Sequence, residues 1–342
     1  MSPSRPTSAF HVDAEDPAQA EGAGEDPIES PEALEAELRE AAVQAADHGM
    51  RLDKWLVGLA PEFSRSYLQQ LIEQGLVRVA GHVVTTASRK LQAGQEVSVE
   101  LRPTPQSQAF RPEPLPLAVV HEDEHVLVID KPAGLVVHPA AGHWSGTVLN
   151  AVLAHHGGAA ALPRAGIVHR LDKDTSGLMV IGKTLEAVTA LVRSIAAREV
   201  RREYLALACG QVRDARRLAT IEAPIGRDPQ SRVRMAVVPG GKPARTDVEV
   251  LAVGEGVTAV RCRLHTGRTH QIRVHLAHLG FPLVGDSLYG GRPLHGMLRQ
   301  ALHAARLGFS HPASGDAMEF TAPPPQDLRA AWIEAVGMPP QV

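Results

Sequence analysis

The segment that decides the reading is His169-Arg170-Leu171-Asp172-Lys173-Asp174-Thr175-Ser176-Gly177-Leu178. It follows a short apolar run and leads into a strand signal at Leu178–Gly182. Small hydroxyl residues and a glycine at that junction predict a tight, hydrogen-bonded loop, able to hold a carboxylate rigidly at a sheet end. Alone, the segment admits several chemistries. A calcium loop would use Asp172, Asp174 and Ser176, with Gly177 at the turn, but its twelfth position is Lys183, a cation. Two carboxylates for glycoside hydrolysis would have to flank a bond, which Asp172 and Asp174, two apart on one loop, do poorly. A capped turn with solvated charges is the plainest alternative.

A second run, Leu264-His265-Thr266-Gly267-Arg268-Thr269-His270-Gln271-Ile272-Arg273-Val274-His275, starts at a strand end, turns at Gly267 and enters a helix capped near Thr269. Its three histidines recur every five residues rather than at the i, i+4 spacing of a helical metal site. An electropositive helix start is the better reading, with Arg268 and Arg273 poised for phosphate or carboxylate.

Working outward, strand signals fall at Val126–Asp130, Glu203–Cys209, Val248–Val253 and Val257–Leu264, and helix signals at Thr147–His155, Thr184–Ala197, Thr269–Leu279 and Gln326–Ala335. Strand-to-strand steps outnumber strand-helix-strand units. The expected fold class is therefore α+β, with a central mixed, largely antiparallel sheet flanked by helices over residues 117–338. Residues 102–116 hold five prolines and read as a linker. Residues 49–101 read as a small α/β unit. Leu52, Leu56 and Leu59 lie on one helix beside Trp55; Ser64 caps a second helix that ends at Gly75; a hairpin turns at Ala80-Gly81, and a strand covers Glu96–Leu101.

Charge is unevenly spread. The net charge is −3, yet residues 1–50 carry twelve acidic and two basic side chains, leaving 33 basic against 26 acidic in the rest. A basic body with an acidic tail, residues 1–48, suits a polyanionic partner. The tail is expected to be disordered, with a transient helix in its Ala- and Glu-rich part, Pro31–Ala46. No apolar run is long enough to cross a membrane, and the acidic, Pro-rich start does not read as a secretion signal. Cys209 and Cys262 lack metal-ligand or disulfide spacing, so a reduced cytoplasmic protein is the simplest reading, and a monomer is expected.

Taken together, these blocks resemble a family. His169–Leu178 is similar to the HRLDxxTSGL signature of the RluA-type RNA pseudouridine synthases. So, in family order, are Lys131-Pro132-Ala133-Gly134, Arg202-Glu203-Tyr204-Leu205, the Arg268–His275 run, Leu283–Gly290 and Gln300-Ala301-Leu302-His303-Ala304. Residues 51–101 resemble the S4-like RNA-binding domain that precedes the catalytic domain in the large-subunit ribosomal RNA (RluD-like) branch. The resemblance implies a cofactor-free, metal-free isomerase of uridines in ribosomal RNA. It implies Asp172 as the catalytic aspartate, acting by covalent attack on the ribose or by assisted elimination, Arg273 as its partner, and Tyr204 as the ring against the base. Leu302 and Ile272 would line the base pocket, and Arg170 would enter the RNA stack when the uridine is extruded. Arg51, Lys54, Arg65, Lys131 and Arg268 are the expected RNA contacts. Asp286 is left between a pocket buttress and a turn cap, and His138, His169 and His303 are read as structural.

Overall fold

The computed structural model describes residues 37–102, 109–140, 143–231 and 233–342. The expectation of disorder for residues 1–36 lies outside them. The chain divides into two compact units, residues 1–103 and 104–342.

In the first unit the strands β1 (Glu37–Ala42), β2 (Val77–Val79), β3 (His82–Val83) and β4 (Glu96–Leu101) form an antiparallel sheet in the order β1-β4-β2-β3. Helices α1 (Leu52–Leu59) and α2 (Arg65–Glu73) complete it. Alternation sets the sheet's inner face: Val77, Val79, Val97, Val99 and Leu101 are buried against Leu52, Leu56, Leu68 and Ile72. Ser64 Oγ accepts from Tyr67 N at 3.2 Å, the expected cap of α2. The stretch 37–42 is a strand, not tail or transient helix. Glu-Leu-Arg-Glu-Ala-Ala has helix-forming residues and no alternation, but its backbone pairs with β4 from Glu37↔Leu101 to Ala42↔Glu96, and tertiary pairing overrides propensity at a sheet edge.

The second unit is built on a nine-stranded sheet. Its strands are β5 (Val119–Glu122), β6 (Val126–Lys131), β7 (Ser176–Gly182), β8 (Arg201–Cys209), β9 (Thr220–Glu222), β12 (Arg245–Val253), β13 (Val257–Leu264), β14 (Leu302–Ser310) and β15 (Ala317–Thr321). A separate two-stranded ribbon pairs β10 (Ile225–Arg227) with β11 (Met235–Val237). Helices α3 (Val148–His155), α4 (Leu185–Ala197), α5 (Gln271–His278) and α6 (Gln326–Val336) accompany the sheet. Its order is β5-β6-β7-β14-β8-β13-β12-β9, with β15 beside β14; β7 and β14 run parallel and the other pairs are antiparallel. The mixed, largely antiparallel sheet expected from the sequence is the sheet observed.

The central strands set the site's geometry. One row across the sheet runs Lys131↔Gly177↔Ala304↔Tyr204↔Cys262↔Val248. Tyr204, Ala304, Cys262 and Val248 belong to the core cluster that also holds Leu171, Leu264, Ile272 and Leu302. Gly177 explains itself in this row: its φ is +117°, and a Cβ would lie 2.3 Å from Ala304 O. Only glycine lets β14 come so close to the loop that carries Asp172.

The Pro-rich segment is not a free linker where it is described. Asn150 Nδ2 donates to Arg111 O at 2.9 Å and to Ala109 O at 3.3 Å, and Gly146 N donates to both Glu113 carboxylate oxygens at 3.1 and 3.0 Å. Thr147 caps α3 through a reciprocal bond with Asn150.

Candidate active site

The loop before β7 is fastened from several sides. Thr175 N donates to Asp172 O at 3.1 Å, closing a turn. Lys173 O accepts from Lys131 Nζ at 3.0 Å and from Gly134 N at 2.9 Å. Asp174 O accepts from Arg299 Nη1 at 2.9 Å, and Thr175 Oγ1 from Gln300 Nε2 at 3.3 Å. The loop thus turns one carboxylate, Asp172, to the cleft, with 14% of its side chain exposed.

Across from it stands Arg273 on α5. Nη1 donates to Asp172 Oδ2 at 3.0 Å, while Nε and Nη2 grip Asp286 at 2.7 and 2.8 Å. The three groups form a buried triad, with side-chain exposures of 14%, 7% and 1% for Asp172, Arg273 and Asp286. Burial opposes the charge on Arg273, but the two carboxylates more than offset it and hold the guanidinium protonated. Asp172 Oδ1 is not bonded to Arg273; His270 Nε2 lies 3.9 Å from it. Arg273 also packs over the Tyr289 ring at 5.0 Å.

A recess over Asp172 is lined by Tyr204, Ile272, Leu302, Arg170, Arg268 and His270. It shares Asp172, Tyr204, Arg170, Leu264 and Arg268 with a larger cleft of about 660 Å³, a volume in the range of small-ligand sites. Five arginines border that cleft (Arg164, Arg170, Arg198, Arg202 and Arg268), and among the described residues Asp172 is the one acid on its wall. Tyr204 is 5% exposed, and burial raises its phenol, so the ring enters the site neutral.

Comparison with known proteins decides the family. Residues 125–278 match the model for RNA pseudouridylate synthase, and residues 50–97 match the S4 domain. The ribosomal large subunit pseudouridine synthase D of Pasteurella multocida is 47% identical over 301 residues, covering 84% of this chain and 92% of the relative. The chain belongs to the RNA pseudouridylate synthase family. The Xanthomonas campestris protein of the same name is 47% identical over 314 residues, covering 88% and 93%. Among solved structures, human RNA pseudouridylate synthase domain containing 1 aligns with a TM-score of 0.51 and 28% identity, covering 66% of this chain and 91% of that one. The chain is accordingly an isomerase of RNA uridine, with an S4 domain preceding the synthase domain.

The sheet gathers most of the residues that the family signature singles out. Asp172, Tyr204, Arg273, Arg170, Leu302, Ile272 and Arg268 all line the recess. Lys131 does not. It is 1% exposed, and its ammonium donates to Pro132 O, Leu135 O and Lys173 O at 2.8, 2.9 and 3.0 Å. All three donors are therefore used on backbone, and burial pulls its pKa down to about 8. Lys131 shapes the synthase loop rather than touching RNA phosphate. In the S4 unit, Arg51 and Arg65 both clasp Asp53, which is fully buried and also accepts from Gln69 Nε2 at 2.8 Å. Both arginines carry a structural load that the sequence did not suggest. Lys54 is exposed and has no partner among the described residues.

The cap of α5 is His270, not Thr269. It sits in the left-handed region at φ 55°, with Nδ1 2.7 Å from Tyr289 Oη, which also accepts from Met235 N at 3.0 Å. The flanking histidines are buttresses: His265 meets Asp247 at 2.6 Å, and His275 meets Thr246 Oγ1 at 2.9 Å and Ala223 O at 3.0 Å. His169 and His303 are structural too. Val180 N donates to His169 Nε2, and His303 spans Ser176 Oγ and Ala322 O. His270 lines the recess and Tyr289 stacks on Arg273, and the sequence singles out neither role. The positive φ of His270 is invisible in composition, and Tyr289 lies sixteen positions from the residue it stacks on.

Proposed function

We propose that this chain converts uridines of large-subunit ribosomal RNA to pseudouridine, with Asp172 as the group that engages the ribose. The observation carrying this reading is the triad. One Asp172 oxygen is held by Arg273, whose Nε and Nη2 are taken by Asp286, and the carboxylate opens on a cleft whose wall carries five arginines and, among the described residues, no other acid. The relatives' name, ribosomal large subunit pseudouridine synthase D, supports the choice of RNA.

The reaction breaks the bond from C1′ to N1, turns the uracil, forms a bond from C1′ to C5, and moves the C5 proton so that N1 regains one. Nothing is added or lost. Asp172 either forms an ester with C1′ or takes a ribose proton in an elimination; both routes need one carboxylate oxygen free and the other fixed. Fixing Oδ2 on Arg273 leaves Oδ1 for the sugar. Tyr204 provides a neutral ring for the uracil, and Leu302 and Ile272 form an apolar floor. Arg170, exposed and without a partner among the described residues, is placed to fill the stack that the flipped uridine leaves. Arg268 adds positive charge at the rim, and the S4 unit offers Lys54 to the RNA backbone.

We extend the reading to a cytoplasmic monomer. Among the described residues no helix is long and apolar enough to cross a membrane. Light scattering of the purified chain tests the monomer. The function is tested by mapping pseudouridine in ribosomal RNA from cells with and without this gene, complemented by the wild type or Asp172→Asn. The expected result is loss of discrete large-subunit sites, restored by the wild type only. Restoration by Asp172→Asn would refute the role of the carboxylate, and loss of sites solely in transfer RNA would refute the substrate.

A further inference from the structure

The chemistry above leaves one enclosed cation unused. Arg202 lies on β8 two residues before Tyr204 and is 6% exposed. Its neighbours are paired: Arg201 Nη2 meets Glu203 at 2.7 Å, and Arg306 meets Glu203 and Glu319 at 3.8 and 3.4 Å. Strand alternation turns Arg202 to the opposite face from Glu203. There, among the described residues, its guanidinium has no carboxylate or carbonyl acceptor, and Nε is shielded from solvent. The side chain forms part of the cleft wall that also carries Asp172 and Tyr204. A second observation points the same way. Gly267 does not occupy the left-handed region, so its turn does not demand glycine; a Cβ there would lie 3.0 Å from Arg202 Nη1. The loop passes bare over the guanidinium and leaves it room.

A buried guanidinium without an acid is unfavourable unless an anion meets it. The other arginines of this wall can reach solvent; Arg202 can reach only the cleft. We propose that Arg202 is the phosphate-binding residue of the site, its guanidinium taking the oxygens of one phosphodiester next to the uridine that is turned out. A planar fork suits two phosphate oxygens, and an enclosed one adds register as well as affinity. The inference rests on the RNA-modifying reading above and adds which backbone group the cleft holds.

The test uses the full chain and a short RNA containing a uridine that the wild type modifies, with single neutral methylphosphonates placed at each phosphate around it. In the wild type, one position should weaken binding by roughly 10- to 100-fold. Arg202→Gln should weaken binding of unmodified RNA by a similar factor, become insensitive to that one methylphosphonate, and lower the slope of log affinity against log salt by about 0.7. Arg202→Lys should recover most of the salt slope and little of the affinity. Gly267→Ala, which crowds Nη1 without removing it, should shift affinity in the same direction as Arg202→Gln and covers the case in which that variant folds poorly. Full sensitivity of Arg202→Gln to every methylphosphonate would overturn the proposal and point to a uracil carbonyl instead. A lower melting temperature with unchanged RNA affinity would overturn it in favour of a packing role. If the wild type binds RNA but forms no pseudouridine, the functional reading fails, and the same comparison on oligouridylate still decides the phosphate contact.

Discussion

Asp172 and Asp286 share one arginine, yet their replacement should have opposite consequences. Asp286 supplies two charge-assisted bonds to Arg273, at 2.7 and 2.8 Å, and is 1% exposed. Asp172 supplies one, at 3.0 Å, and faces the cleft. Removing one partner of a buried ion pair costs about 3–5 kcal/mol, because the remaining charge stays desolvated. Asp286→Ala should therefore lose about that much, and Asp286→Asn, which keeps one acceptor, roughly half. Asp172→Asn leaves the bidentate grip intact and relieves a partly desolvated acid, so its cost should stay below about 1 kcal/mol.

Activity should rank the other way. Asp172→Asn removes the oxygen proposed to engage the ribose and should abolish turnover. Asp286→Asn loosens the arginine that orients it, and misplacement near 1 Å costs up to about 10²-fold. The assay pairs tritium release from C5-labelled uridine with urea unfolding followed by hydrogen exchange on β7 and β14, so that the S4 unit's own unfolding does not intrude. With a denaturant slope of about 2 kcal/mol/M, the Asp286→Ala midpoint should fall by roughly 1.5–2.5 M. Equal stability losses at the two positions, or an Asp286→Ala variant within about 1 kcal/mol of wild type, would refute the division of labour argued here.

Three further outcomes are expected. His303 is fully buried and burial holds its pKa near 4, below the usual 6.5; its contribution is fully present above pH 6.5 and is lost as pH falls toward 4, at up to about 1.4 kcal/mol per unit. The unfolding midpoint should therefore drop between pH 6.5 and 5, and His303→Gln should flatten that slope; an unchanged slope counts against the assignment. Lys131→Met should lower the stability of the synthase domain by about 2–4 kcal/mol, because Pro132 O and Leu135 O lose the ammonium and Lys173 O keeps only Gly134 N, without altering the salt slope of RNA binding; a reduced slope by filter binding would restore Lys131 as a phosphate contact. In the S4 unit, Lys54→Ala should reduce that slope by about 0.7 with no loss of melting temperature, whereas Arg65→Ala should lower both stability and affinity, because Arg65 also closes the cage around Asp53.

What the sequence revealed, and what it withheld, follows from how far each interaction reaches along the chain. The local signals held: Ser64 caps the helix it precedes, the helix signal at Thr184–Ala197 is α4 with Thr184 as its cap, and β13 runs from Val257 to Leu264 as expected. The signature blocks brought Asp172 and Arg273 into one argument, although 101 positions separate them. What the sequence could not show is where a donor goes once the chain is folded. Lys131, Arg51 and Arg65 read as free cations for RNA, but the first is buried under three carbonyls, and the others, 42% and 46% exposed, divide their donors between Asp53 and solvent. Arg202 is the reverse case: it sits among charged neighbours in the sequence, and only the pleat of β8 separates it from Glu203 and leaves it facing the cleft. Basic residues in an RNA enzyme are therefore better sorted by their folded partners than by their number. A cation with its donors already satisfied supports the scaffold, and an enclosed cation with none marks where the polyanion must come.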